Sequence, residues 1–325
     1  MEIATMRITT SLAYDQSVEN LQKRQQDLTT SQTQLTSGKR VNKASDDPTA
    51  AARAERALAA IGRSDAEQRA IDASRNVMNI AESALGDGVE LLQSARETLV
   101  ALGNGGYSDS DRRALTAKLS EIRKQLLSVA NRPDGGGGYV FGGQSAANAP
   151  FIEVPNPDPA TAATLPSTVK FTGQAGQTQA ATREAVNLSV DGQRTWLQGR
   201  DSSGALVDVN IFDTLTKAIN TLGANVSPGT TTVKDAVTAG LGDLDKILGN
   251  MQSARAEVGE ALNRMDGIES RNSALKLAAK TEKSNAEDLD MTEAISEFTN
   301  RHSGYQAALQ SYASIQKLSL FQYIG

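Results

Sequence analysis

The chain contains no cysteine and one histidine, His302, in 325 residues. Disulfide scaffolds, thiol nucleophiles and thiolate metal sites are therefore excluded, and histidine triads and zinc clusters lack their ligands. Aromatic residues make up only 4% of the chain, a composition suited to long Ala- and Leu-rich helices rather than one large core. No apolar run reaches the ~18 residues of a membrane-spanning helix, so no membrane insertion is expected. No basic-then-apolar signal segment opens the chain, and Met1 to Thr5 reads as a leader or alternative start before Met6-Arg7-Ile8. A net charge of −5, with no basic stripe, lacks the footprint of nucleic-acid binding. The glycine run Gly135 to Gly138 is not followed by Gly-Lys-Ser/Thr and is no phosphate cradle. Ser45-Asp46-Asp47 lacks further carboxylates in register to hold a cation. Nothing in this inventory supplies an enzyme, a metal site or a cofactor.

What the chain does have is an apolar stripe near its C-terminus. Ile295, Phe298, His302, Tyr305, Leu309 and Tyr312 alternate in steps of 3 and 4 residues, one seam of a helix. The seam continues at Ile315, Leu318 and Phe321. Such a helix must bury its stripe against the N-terminal segment or against other copies of the chain. The N-terminal segment repeats Val18, Leu21, Leu28 and Leu35, with Arg24 and Ser31 at the intervening seam positions. One leucine per two turns stabilises a lone helix poorly, so this segment is expected to be loose until it gains a partner.

Between the ends the pattern changes twice. A break at Thr36 to Arg40 leads to Asp46-Asp47-Pro48, a helix start in which either carboxylate caps free N–H groups and proline fits the first turn. A long helical region follows from Thr49 to Leu102, with bends expected at Gly62 or Gly86 to Gly88. Ser108 to Asp111 caps a second helix through Asn131. From about Pro133 to Val209 glycine and proline concentrate: 11 of 27 glycines fall between Gly135 and Gly204 and five of eight prolines between Pro150 and Pro166. Short strands are expected at Tyr139 to Phe141, Val169 to Thr172, Val186 to Val190, Thr195 to Leu197 and Leu206-Val207. Asp191-Gly192 serves as a hairpin turn between two of them. Helices resume at Phe212 to Leu222 and, beyond a Ser227-Pro228-Gly229 turn, from Val233 to about Ala286. The expected fold is mainly α, a rod of paired N- and C-terminal helices in an antiparallel bundle with a small β-rich domain inserted. Its boundaries are 1–45 and 284–325 for the assembly helices, 46–133 and 210–283 for the helical core, and 134–209 for the β-rich domain.

Several motifs resemble the flagellin family over nearly the whole chain. They are Met6-Arg7-Ile8-Thr9-Thr10-Ser11, Gln34-Leu35-Thr36-Ser37-Gly38-Lys39-Arg40-Val41-Asn42, Ser45-Asp46-Asp47-Pro48-Thr49-Ala50-Ala51, and Gly138-Tyr139-Val140-Phe141-Gly142-Gly143. Filament flagellins typically follow the first turn with Ala-Lys-Asp-Asp-Ala-Ala; Asp46-Asp47-Pro48-Thr49 here is closer to the branch joining hook to filament. The resemblance implies an all-α core with flexible termini, unfolded export through the flagellar type III channel, and self-association in a ring or tubular layer. Its implied partners are hook-associated protein 1, flagellin and an export chaperone on the C-terminal helix. A filament flagellin is the nearest alternative. From another class, a coiled-coil adhesin or binding module would grip a ligand through an exposed Trp196 or the proline-rich loop of the β-rich domain.

Overall fold

The computed structural model describes the backbone of residues 2–104, 106–145, 147–158, 160–180, 183–223 and 231–324, with side chains from 14 to 314 except 231 and 232. Its elements run α1 (Glu2–Ser37), α2 (Pro48–Leu102), α3 (Asp109–Ala130), β1 (Phe151–Pro155), β2 (Ser167–Phe171), β3 (Gln179–Ala180), β4 (Val186–Asn187), α4 (Gly192–Trp196), β5 (Gln198–Arg200), β6 (Leu206–Asp208), α5 (Ile211–Leu222), α6 (Thr231–Glu287) and α7 (Met291–Ile324). The chain divides into two units: 1–64 together with 273–325, and 65–272. The division falls inside α2 and α6, not at the breaks near 46 and 284. The Ser227-Pro228-Gly229 turn lies outside the described residues.

The unit formed by 65–272 holds the core. Along α2 the heptad residues Ile71, Met78, Leu85 and Leu92 are all buried, as are Leu244, Ile247, Met251, Val258 and Met265 of α6. Helix α2 runs unbroken through its glycines. Gly88 is needed for packing: a Cβ there would lie 3.1 Å from both Trp196 and Met251. Ser108 and Asp111 form a reciprocal capping box at the start of α3. Fully buried Arg112 donates from Nη2 to the Leu222 carbonyl at 2.9 Å, placing a cation at the C-terminal end of α5.

Three separate two-stranded antiparallel sheets, β1 with β2, β3 with β4 and β5 with β6, complete this unit. Two local expectations are corrected here. Asp191-Gly192 does not turn a hairpin; the Asp191 side chain accepts from the Arg194 N–H and caps the short helix α4, so Thr195 and Trp196 are helical. Tyr139 to Phe141 forms turns and an isolated bridge between Pro133 and Tyr139 instead of a strand. Trp196 is 0% exposed and packs against Phe141, edge-on at 5.4 Å between centroids, with Phe151 and Phe212 beside it. Buried this way it offers no surface to a ligand, which removes the tryptophan from the adhesin alternative.

Candidate assembly interface

Both ends of the chain meet in the other unit. Helix α1, loose by its own composition, is helical here against α7, and the two run antiparallel. Tyr14 and Tyr312 mark one end, with their hydroxyls 2.7 Å apart and ring centroids at 5.6 Å. Arg24 lies over Gly304 in the middle, and an antiparallel bridge between Lys39 and Asp288 closes the other end. Val18, Leu21, Leu28 and Leu35 are half-buried, and Ser31 is 5% exposed. Among the described residues of this unit the buried hydrophobic side chains are Val41, Ala50, Ala54, Ala57 and Ala286, none larger than valine. The seam is therefore thin, and its hydrophobic stabilisation small.

Helix α7 does not turn the centre of its apolar stripe toward α1. Phe298, Tyr305 and Tyr312 are half-buried, and so are Ala294, Gly304 and Ala308 one residue round from the predicted seam. Arg301 joins this rotated seam through a 2.8 Å hydrogen bond to the Ser31 hydroxyl. Ile295 is left 54% exposed and Leu309 40% exposed, with exposed His302 between them stacked on Phe298 at 6.1 Å. The result is a partly uncovered apolar flank along α7. The Ile315, Leu318 and Phe321 side chains lie outside the described residues.

At the Gly38 end, a clasp ties the helices to one another. Gly38 adopts a φ of +70°, in the left-handed region that side chains disfavour, and ends α1. The chain then pairs with the end of α6: Arg40 N donates to the Glu287 carbonyl at 2.7 Å and Leu289 N to the Gly38 carbonyl at 3.1 Å. The Arg40 guanidinium spans two helix ends, donating from Nη2 to the Ala286 carbonyl at 2.9 Å and from Nη1 to Asp47 at 3.2 Å. Asp47 in turn accepts from Ala50 N at 2.9 Å, capping α2, whose first residue is Pro48. Asp46 has a different place: its carboxylate accepts from Asn42 N and Lys43 N and folds the loop, while Asp47 alone binds the helix start. On α6, Glu287 bridges Lys39 at 3.2 Å and Lys283 at 3.1 Å. Asp290 Oδ1 accepts from Thr292 N at 2.9 Å and Glu293 N at 3.2 Å, starting α7.

The charges of the clasp are set by these contacts. The Ala50 N–H, then the Arg40 guanidinium, hold the Asp47 carboxyl below its ordinary value. Burial pushes Glu287 up, but hydrogen bonds from Lys283 and Lys39 outweigh it and leave the group below the usual range. Sequence reading missed Arg40 and Arg301. Both stand in polar runs, and their partners lie some 246 and 270 residues away in the chain. Arg24 and Ser31, two polar residues at seam positions, were the visible sign that a matching polar residue should exist opposite.

No groups of His, Asp or Glu suited to a metal ion occur among the described residues. Residues 8–146 match the bacterial flagellin N-terminal helical region, and residues 241–324 match the bacterial flagellin C-terminal helical region. The chain is 30% identical, over an alignment of 329 positions, to the flagellar hook-associated protein 3 of Salmonella typhimurium strain LT2, covering 98% of this chain and 99% of that one. Two solved structures resemble it in fold. A putative flagellar hook-associated protein from Vibrio parahaemolyticus has a TM-score of 0.62 at 18% identity, covering 75% of this chain and 100% of that one. The flagellar junction protein FlgL from Legionella pneumophila has a TM-score of 0.55 at 18% identity, covering 73% and 100%.

Proposed function

The chain belongs to the flagellin family, in its hook-associated protein 3 branch, and from that premise we propose that this structural protein of the bacterial flagellum joins hook to filament. The observation that carries the reading is the uncovered flank of α7. Ile295 and Leu309 stand 54% and 40% exposed beside the half-buried Phe298, Tyr305 and Tyr312. A partly uncovered apolar flank on an otherwise polar helix pair favours burial by another chain. Neighbouring copies in a ring or tubular layer are its partners after assembly. Hook-associated protein 1 on one side and flagellin on the other bound the layer. Before assembly the chain passes unfolded through the type III export channel, and a cytoplasmic chaperone covers the C-terminal helix. Val18, Leu21, Leu28 and Leu35 act from the α1 side by holding α7 in place, and the sequence pattern assigns Ile315, Leu318 and Phe321 to the same assembly role. Asp46, Asp47 and Pro48 act indirectly, by fixing the clasp.

Fully burying a Leu-sized side chain contributes ~1.5–3 kcal/mol. Two half-exposed ones then contribute about 1 kcal/mol each at every contact between copies. Ile295→Ser with Leu309→Ser should therefore weaken each contact by about tenfold or more, and a repeating layer multiplies that loss. The expected result is a chain with unchanged Trp196 fluorescence that no longer restores motility or filament attachment in cells lacking the native protein. Normal filaments in those cells would refute the proposal. Growth of long filaments from the purified unsubstituted chain alone would instead favour a filament subunit.

A further inference from the structure

Helix α5 runs antiparallel to α3, and two buried arginines of α3 reach its two ends. Arg112 is 0% exposed and donates from Nη2 to the Leu222 carbonyl at 2.9 Å, at the C-terminal end of α5. Arg123 is 8% exposed and donates from Nε to the Phe212 carbonyl at 3.3 Å, in the first turn, and from Nη2 to Glu153 of β1 at 2.7 Å. The arginines stand about 16 Å apart along α3 and the carbonyls about 15 Å apart along α5, at ~1.5 Å per residue. Arg123 has a carboxylate beside it. Arg112 does not: its Nε and Nη1 are buried without a hydrogen-bond partner among the described residues. A cation so placed carries a desolvation cost that one carbonyl does not offset.

We propose that Arg112 and Arg123 set the alignment of α5 on α3, and with it the placement of β1 and β2, and that Arg112 serves this alignment rather than stability. The apolar side chains discriminate weakly. Ile211, Leu215, Ala218 and Leu222 are buried at successive turns of α5, as are Leu119, Ile122 and Leu126 on α3. A shift of one turn therefore still sets apolar against apolar. Arg112 does not tolerate that shift. The last carbonyls of a helix have no partner within it and form the negative end of its dipole. One turn inward, Arg112 faces carbonyls already bonded inside α5; one turn outward, it passes the end of the helix. The alignment carries over to the strands. Asn210, the N-cap of α5, donates from Nδ2 to the Val169 carbonyl at 2.9 Å, and Asp213 accepts from Val169 N at 3.4 Å and from the Thr168 hydroxyl. Both contacts hold β2. Strand β1 is held from α3 instead, by Asn131, which exchanges two 2.9 Å bonds with the backbone of Phe151. The β1–β2 ladder thus bridges the two helices and needs them in one alignment.

Arg112→Met in the full chain keeps a long side chain and removes the charge and the donor. The unfolding midpoint by circular dichroism should not fall, because losing an unpaired cation offsets the Leu222 carbonyl left bare. Alignment should suffer instead. Hydrogen exchange of the Val169 amide, held from α5, should rise about tenfold, while the Phe151 amide, held from α3, keeps its rate. Trp196 emission should shift as Phe212 leaves its stack at 6.4 Å. Arg112→Lys, which retains a cationic donor, should show the exchange and emission of the unsubstituted chain. Unchanged Val169 exchange in the methionine variant would mean that the strand pair aligns the helices, and the inference fails. A lower midpoint with both amides accelerated, or a variant that does not fold, would make Arg112 a stabilising residue and overturn it equally. A lysine variant as loose as the methionine one would do the same. None of these readouts needs assembly, so they stand apart from the proposed function.

Discussion

Asp47 and Glu287 give the clasp a pH dependence with a definite sign. Both carboxyls sit below their ordinary values in the folded chain. Their contribution is therefore fully present above the unfolded value and is lost as the pH falls through the folded one, below pH ~4. Asp213 in the 65–272 unit answers oppositely: burial pushes its carboxyl up, so its ionisation weighs against folding and acid relieves that penalty. Amide hydrogen exchange followed from pH 7 to pH 3, corrected for intrinsic rates, should show protection lost first at Arg40, Val41 and Leu289. Equal loss across both units would contradict this assignment. At this scale the sequence was partly legible. Asp47-Pro48 announced a helix start because capping is local chemistry, whereas the bonds of Arg40 to Ala286 and of Arg301 to Ser31 cross 246 and 270 residues and leave no local pattern.

Among the elements, the long helices were readable because a seven-residue repeat is sampled many times over 55 residues in α2 or 57 in α6. The short ones were read unevenly. The strands expected at Val169 to Thr172, Val186 to Val190 and Leu206-Val207 coincide with or overlap β2, β4 and β6, but strands of two to five residues complete no more than two or three alternations, so β3 and α4 were decided by nonlocal contacts. Asp191-Gly192 illustrates the failure, since the same dipeptide suits a hairpin turn and a helix cap. Trp196 illustrates another: its burial depends on Phe141, Phe151 and Phe212, which arrive from three other segments. Trp196→Ala should remove the centre of this cluster and cost ~3–5 kcal/mol, read as a lowered unfolding midpoint by circular dichroism. A loss under about 1 kcal/mol would mean that the cluster does not organise its unit. The rotation of α7 belongs at this scale too. The stripe in the sequence is centred on Ile295, His302 and Leu309, but Ala294, Gly304 and Ala308 are half-buried in their stead beside Phe298, Tyr305 and Tyr312, so Ile295, His302 and Leu309 stay exposed.

Over the whole molecule, the two units are unequal in what they bury. The 65–272 unit encloses Trp196, Phe141, Phe212 and a run of leucines, whereas the buried hydrophobic side chains described in the other are alanines and one valine. Two separate unfolding steps are expected. Circular dichroism reports both, while fluorescence of the single tryptophan reports the 65–272 unit alone. Heating should therefore remove part of the helical signal before the fluorescence changes. Coincident transitions by both probes would show instead that the units unfold as one. The unequal burial was foreshadowed by composition, through the Gln, Thr and Ser content of α1, but the position of the division inside two continuous helices was not.

The Tyr14–Tyr312 contact has a consequence for the order of events in time. These residues are 298 positions apart, so closing that contact brings together nearly the whole chain. Contacts of such long sequence separation form late, after the loop between them has been shortened by structure of its own. For a chain delivered one end first, the opposite end is still missing while the middle begins to fold. Helix α1 then has no α7 to meet until the last residues arrive. Joining of the two ends is therefore expected to come last.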